Sequence, residues 1–264
     1  MEVPRYAPAF LSMRNVSVAR GDNTVLHDIS LEIGAHELVA ILGPNGCGKS
    51  TLLQTITCQR YPLVREGLHF QIFGREHWDL SELRKHLGVV ATELPGERTP
   101  RTLGRDAILS GFFFSSTIWP HQHVTPEMVE RAEEILHLLE VSHLRDKPVG
   151  EMSAGEMKRI MIGRALVHRP AVLLLDEPSN GLDLKAQWEL RQTLRRLAQH
   201  GTGMLLITHH LSDIPPEMDR VIFMREGHLV ADGSKRELFS YEQLGALFQV
   251  EVEVSERNGV YHAW

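Results

Sequence analysis

Eight consecutive residues, Gly43-Pro44-Asn45-Gly46-Cys47-Gly48-Lys49-Ser50, hold the first chemistry legible in this chain. Glycines let a backbone curl until successive N–H groups face one anionic ligand, and a helix starting at the end of the run adds partial positive charge. The spacing is that of the Walker A pattern, G-x-x-x-x-G-K-[ST]. In it Lys49 reaches the β- and γ-phosphates of ATP, Ser50 ligates Mg²⁺, and Thr51 hydrogen-bonds a phosphate from the first helical turn. A second group, Val172-Leu173-Leu174-Leu175-Asp176-Glu177, is an apolar run ending in adjacent carboxylates. Successive strand residues point opposite ways, so the two can do different jobs. Asp176 suits the Mg²⁺ shell as in Walker B, and Glu177 falls where it orients or deprotonates an attacking water, a contribution of about 10²–10⁴ in rate.

The elements that must position these groups follow from hydrophobic patterning. Leu11, Met13, Val16 and Val18, then Val25, Leu26, Ile29, Leu31 and Ile33, predict two antiparallel strands around the turn Gly21-Asp22-Asn23. A buried strand at 38–42 runs into the glycine loop and a helix at 49–57. Further strands are expected at 171–175, 204–208 and 221–224, with helices at 126–140 and 185–200. Strands alternating with helices predict a parallel α/β core. In the tail, Val and Glu alternate over 250–254, and Asn258-Gly259 before Val260-Tyr261-His262 signals a hairpin, packed on its own core or offered to a partner.

Composition narrows the partners. A net charge of −6 argues against a phosphate backbone as ligand, so no nucleic acid is expected. The start has no long apolar stretch of a secretory signal, and the aliphatic runs are about a strand long, far short of a membrane span. A cytoplasmic chain is expected, with any membrane role left to a separate partner. Cys47 and Cys58 offer no disulfide framework. Among fifteen histidines the His121-Gln-His123 pair lacks a neighbouring cysteine or carboxylate cluster, so solvated loop histidines are expected there.

Met152-Ser153-Ala154-Gly155-Glu156 resembles the signature of ABC ATPases, Ser179-Asn180-Gly181-Leu182-Asp183 their D-loop, and Thr208-His209 their switch, in the family's order over residues 10–235. The resemblance implies an α/β fold: a RecA-like P-loop ATPase core with an N-terminal antiparallel β subdomain and an inserted helical signature subdomain. On this reading residues 1–264 form a single ABC ATPase domain, with the catalytic core and β subdomain at 1–90 and 166–240, the helical subdomain at 91–165, and a hairpin-like tail at 241–264. It also implies a head-to-tail dimer, most simply a homodimer, in which Ser153, Ala154, Gly155 and Glu156 act on the ATP held by Lys49 of the other subunit. His209 then contacts the γ-phosphate, and a separately encoded transmembrane permease places the pair at the cytoplasmic face of the inner membrane. Trp78 with 80–84, the Gly111 aromatic patch and the 259–262 region are similar to molybdenum-type transport ATPase subunits.

Three departures from the family pattern stand out. Ala154 replaces a usual glycine and requires φ below zero. Arg20 stands where an aromatic residue commonly stacks on adenine; either its guanidinium stacks instead, or Tyr6 or Phe10 takes over. The Q-loop glutamine is missing, leaving Thr92 and Glu93 as candidates. The aromatic patch Phe112-Phe113-Phe114 with Trp119 reads as core or as a docking face for the membrane partner. Two functions therefore stand: a transport motor, or a soluble ABC ATPase in cofactor assembly, repair or regulation.

Overall fold

A computed structural model describes residues 9–90 and 99–264. The chain divides into two compact units: the described residues up to Leu83 with Gly203–Trp264, and Arg84–Thr202. The division falls outside the 91–165 segment, so the strand that ends in Asp176 and the helix after it group with the helical segment.

In the first unit β1 (Ala9–Arg20) and β2 (Asn23–Gly34) pair antiparallel. Their inward residues Val16, Val18, Leu26 and Ile29 are buried, as the alternating pattern requires. The expected turn closes between Arg20 and its partner Asn23, with Gly21 at φ 62°. A strand without strong patterning, β4 (His69–Ile72), adds to the free side of β1. β3 (Leu38–Leu42) begins and ends where its apolar run does. It lies between β7 (Gly203–Thr208) and β8 (Arg220–Arg225), parallel to both, and β9 (His228–Ser234) closes the edge antiparallel to β8. Such strands are buried on both faces and read as continuous apolar runs; β7 is buried throughout. α1 (Lys49–Ile56) follows β3, α2 (Leu80–His86) begins in this unit, and α7 (Lys235–Leu238) and α8 (Tyr241–Phe248) follow β9.

The second unit holds β5 (Leu87–Val90) parallel to β6 (Val172–Asp176), with Val90 level with Leu175. Its helices are α3 (Gly104–Leu109), α4 (Pro126–Leu138), α5 (Ala154–Ala165) and α6 (Leu184–Gln199). α4 starts on Thr125, whose hydroxyl accepts from Met128 N, with Pro126 at the position where its missing N–H costs nothing. α6 buries Leu190, Thr193, Leu194 and Leu197, one stripe at helical spacing. In the aromatic patch, Phe114 stacks on His168 at 5.0 Å and Phe112 meets the same ring edge-on at 5.3 Å, while Trp119 stays 39% exposed.

The tail is a hairpin of β10 (Val254–Arg257) and β11 (Val260–Ala263). Asn258 and Gly259 both take positive φ, 54° and 76°, as a type I′ turn demands. Tyr261 packs edge-on against Phe239 at 5.0 Å, so this hairpin lies on its own unit. Tyr261→Ala should lower stability by at least about 0.5–1.5 kcal/mol through the lost aromatic pair. A urea midpoint unchanged from wild type would contradict that packing.

Candidate nucleotide site

The glycine-rich turn joins the end of β3 to the start of α1. Gly48, the N-cap residue of α1, sits at φ 108°, a conformation closed to ordinary side chains, and has none with which to cap the helix. No acidic residue stands in the first turn of α1. No side chain at this position caps the helix, an arrangement that suits phosphate at a helix start. Lys49 is buried, and its Nζ donates to the carbonyls of Gly43 at 2.8 Å and Pro44 at 3.0 Å, which holds it over the turn. Ser50 is exposed and Thr51 buried behind it. Cys47 is buried and in no disulfide, and its carbonyl accepts from Gly227 N at 2.9 Å, fixing the loop from outside.

Strand register brings His209, the expected switch residue, to the same edge. In the parallel pairing of β3 and β7, Leu42 lies against Thr208, so Gly43 and His209 leave adjacent strand ends. The Thr208 hydroxyl donates to Asp213 Oδ2 at 2.6 Å and accepts from His210 N at 3.0 Å. This network shapes the turn that presents His209, whose ring lies 3.8 Å from that of His210. Both histidines line an open groove of about 400 Å³ together with Phe248, Val252, His262 and Trp264 from the tail.

In the second unit Asp176 closes β6 and Glu177 follows at φ 43°, a left-handed conformation that costs about 1–3 kcal/mol for a residue of this kind. Asn180 Nδ2 donates to Glu177 Oε2 at 2.9 Å, and Asn180 N to its carbonyl at 3.2 Å, so the turn is held from both ends of the residue. Ser179 is buried, Gly181 turns the chain at φ 74°, and Asp183 caps α6 by accepting from Ala186 N at 2.8 Å. Lys158 is buried on α5; burial pushes its ammonium down, opposed by the charge of Asp176.

Ser153 is the N-cap of α5 and Ala154 its first residue, in helical backbone, so the requirement of negative φ is met. The glycine that geometry demands is Gly155, where a Cβ would stand 2.6 Å from that of Ala186. That close approach brings the start of α5 against the start of α6. Arg20 is exposed at the end of β1. Phe10 is fully buried against Phe73 at 5.4 Å and is removed as an adenine-stacking candidate. Tyr6, Thr92 and Glu93 lie outside the described residues. Sequence reading gave no role to Asp213, Lys158 or Lys147 and placed Asn180 only within the D-loop segment; the Ser153-x-x-Glu156 spacing is the signal from which the cap of α5 could have been found.

The family model described as ABC transporter matches residues 26–180. The chain belongs to this family. It is 30% identical over 249 residues to the uncharacterized ABC transporter ATP-binding protein YlmA of Bacillus subtilis, covering 92% of each chain. It is 29% identical over 247 residues to the zinc import ATP-binding protein ZnuC of Alkalilimnicola ehrlichii, covering 93% of this chain and 86% of the relative. The structure of cbiO1 from Clostridium perfringens, part of the ABC transporter complex cbiONQ, superposes with a TM-score of 0.76 at 26% identity over 90% of this chain and 93% of that one. The RecA-like core, the antiparallel β subdomain and the helices are those of ABC cassettes, and the chain is an ATP-binding, ATP-hydrolysing subunit of that family. The narrower likeness to molybdenum-type subunits is not distinguished by these relatives.

Asp213→Ala removes the acceptor of a buried hydroxyl and should cost about 1.5–3 kcal/mol, the range for hydrogen bonds to charged groups. Asp213→Asn keeps the acceptor and should recover most of it in the same denaturation experiment. Equal losses in both would show that the hydrogen bond is not what matters.

Proposed function

We propose that this chain is the ATP-hydrolysing motor of a transporter and works as a head-to-tail dimer, most simply of two copies. The observation that supports this best is the pairing of Leu42 with Thr208, which starts the phosphate-binding turn and the switch turn from neighbouring strand ends. The backbone of residues 43–48 and Lys49 bind the β- and γ-phosphates, Thr51 assists from α1, and His209 meets the γ-phosphate. Arg20 faces the base from the end of β1. The segment Ser153–Gly155 of the second subunit, its helix start capped by Glu156, completes the site, with Ser179, Gly181 and Asp183 at the joint.

Ser50 and Asp176 offer the hard oxygen donors that suit Mg²⁺, and the described residues contain no cluster of three or more His, Cys, Asp or Glu that would make a separate protein-only metal site. Bound there, Mg²⁺ would neutralise charge on the β- and γ-phosphates. Glu177 accepts the proton of the attacking water as its oxygen bonds to the γ-phosphorus. The bond to the β-phosphate oxygen breaks, and ADP and phosphate leave. Asn180 and the left-handed turn hold that carboxylate in place.

Relatives whose printed names state a role are import ATP-binding proteins, for spermidine and putrescine, hemin and zinc, which favours transport over a soluble role in assembly, repair or regulation. Among the described residues no helix is long and apolar enough to cross a membrane. On this proposal a separate permease supplies the membrane path and this chain sits at its cytoplasmic face, with Thr92 and Glu93 as the candidates for the coupling loop. No nucleic acid enters the proposal.

Lys49→Ala should abolish productive ATP binding, since the loop loses its phosphate-reaching cation; wild-type affinity in a titration would overturn the assignment. Glu177→Gln should bind ATP normally yet hydrolyse it at least about a hundredfold more slowly. With ATP and Mg²⁺ the same variant should dimerise in light scattering, because hydrolysis no longer opens the pair. Affinity purification from native membranes should recover a protein with several transmembrane helices, and recovery of none would remove the transport reading.

A further inference from the structure

The start of α5 has a feature that its proposed task does not tolerate unaided. Ser153 Oγ accepts from Glu156 N at 3.2 Å, and Glu156 Oε2 accepts from Ser153 N at 2.7 Å, so a carboxylate is folded onto the helix N-terminus. Burial favours its neutral form, but hydrogen bonds from Lys147 and Ser153 outweigh that and hold the carboxyl down to about 2. It is ionised wherever the protein works. A fixed negative charge there satisfies the helix end from within and repels a second anion brought to the same place.

The opposing charge is on the page. Lys147 Nζ donates to both carboxylate oxygens of Glu156, at 2.8 and 3.1 Å, and the two side chains are 32% and 18% exposed. The lysine backbone is itself anchored, its carbonyl accepting from Gly104 N at 3.0 Å and its N–H donating to Leu144 O at 3.2 Å. The ammonium is thus delivered from the segment preceding the signature, nine positions before the residue it meets.

We infer that Lys147 is a charge-compensating positioning residue of the signature: it neutralises Glu156 so that the start of α5 accepts the γ-phosphate held by the second subunit. The inference rests on the head-to-tail reading above and adds the residue that makes this particular signature electrostatically competent. Glu156 keeps its capping role, which a glutamine in its place would also fill through its side-chain oxygen. Lys147 would then be dispensable, which separates this role from a merely structural one.

The test is a double-mutant cycle in the Glu177→Gln protein, with ATP- and Mg²⁺-driven dimerisation followed by light scattering. Lys147→Met should weaken dimerisation by about tenfold or more, with the larger effect at low salt, while ATP affinity of the monomer stays at the parent value. Adding Glu156→Gln to Lys147→Met should return dimerisation to within about twofold of the parent, because no charge is left to compensate. Lys147→Arg should behave as the parent, and Glu156→Gln alone should dimerise at least as tightly, which tests the idea even if the methionine variant folds poorly. Parental dimerisation of Lys147→Met, a double variant as weak as the single one, or weakened dimerisation of Glu156→Gln alone would each overturn the inference. A parent that does not dimerise at all would overturn the head-to-tail reading and this inference with it, a result distinct from a parent that dimerises and a lysine that does not matter.

Discussion

The first N–H groups of an α-helix have no partner inside the helix, and each must find an acceptor elsewhere. The starts of α1 and α5 meet that demand in opposite ways. α1 begins on a glycine, which has no side chain with which to cap it. α5 closes its own start with Ser153 and Glu156. An open start suits a firmly held nucleotide, since the phosphates replace the missing cap. A closed one suits a surface that must meet a ligand held by another subunit, because the helix stays intact between encounters.

The remaining groups are set by strand ends. In the first unit β3 and β7 run parallel and are followed directly by Gly43 and His209; in the second, β6 is followed directly by Glu177. Each turn is then locked by a local bond rather than by distant packing. Thr208 with Asp213 holds the switch turn, Asn180 holds Glu177, and Gly227 holds the loop at Cys47. The hydrophobic strands provide register, and short polar contacts provide aim.

The strands that position the site were legible because they are apolar on both faces; the bounds of β3 coincide with those of its aliphatic run. The glycine loop and the Asn258-Gly259 turn were legible because only certain residues adopt their backbone angles. β4 and β5 were not foreseen, each having only four residues and too few positions for a period to show. β9 alternates between half-buried and exposed positions with few apolar residues, so its pattern is that of a loop. Phe10 shows the limit of reasoning by residue type: its aromatic ring suits a base, but β1 turns it wholly into the core. Asp213 and Lys147 act through contacts set by tertiary placement, and no spacing rule announces them.

The left-handed backbone at Glu177 has an implication for directed evolution of this protein. Glycine enters that conformation without the steric cost an L side chain bears, whereas valine, isoleucine and threonine are the worst suited to it. Replacing Glu177 by glycine would relieve strain in the fold while removing the carboxylate that the proposed mechanism uses. A screen that rewards heat resistance alone would therefore enrich inactive chains at this position, and selection for stability has to be coupled to turnover if the carboxylate is to survive it.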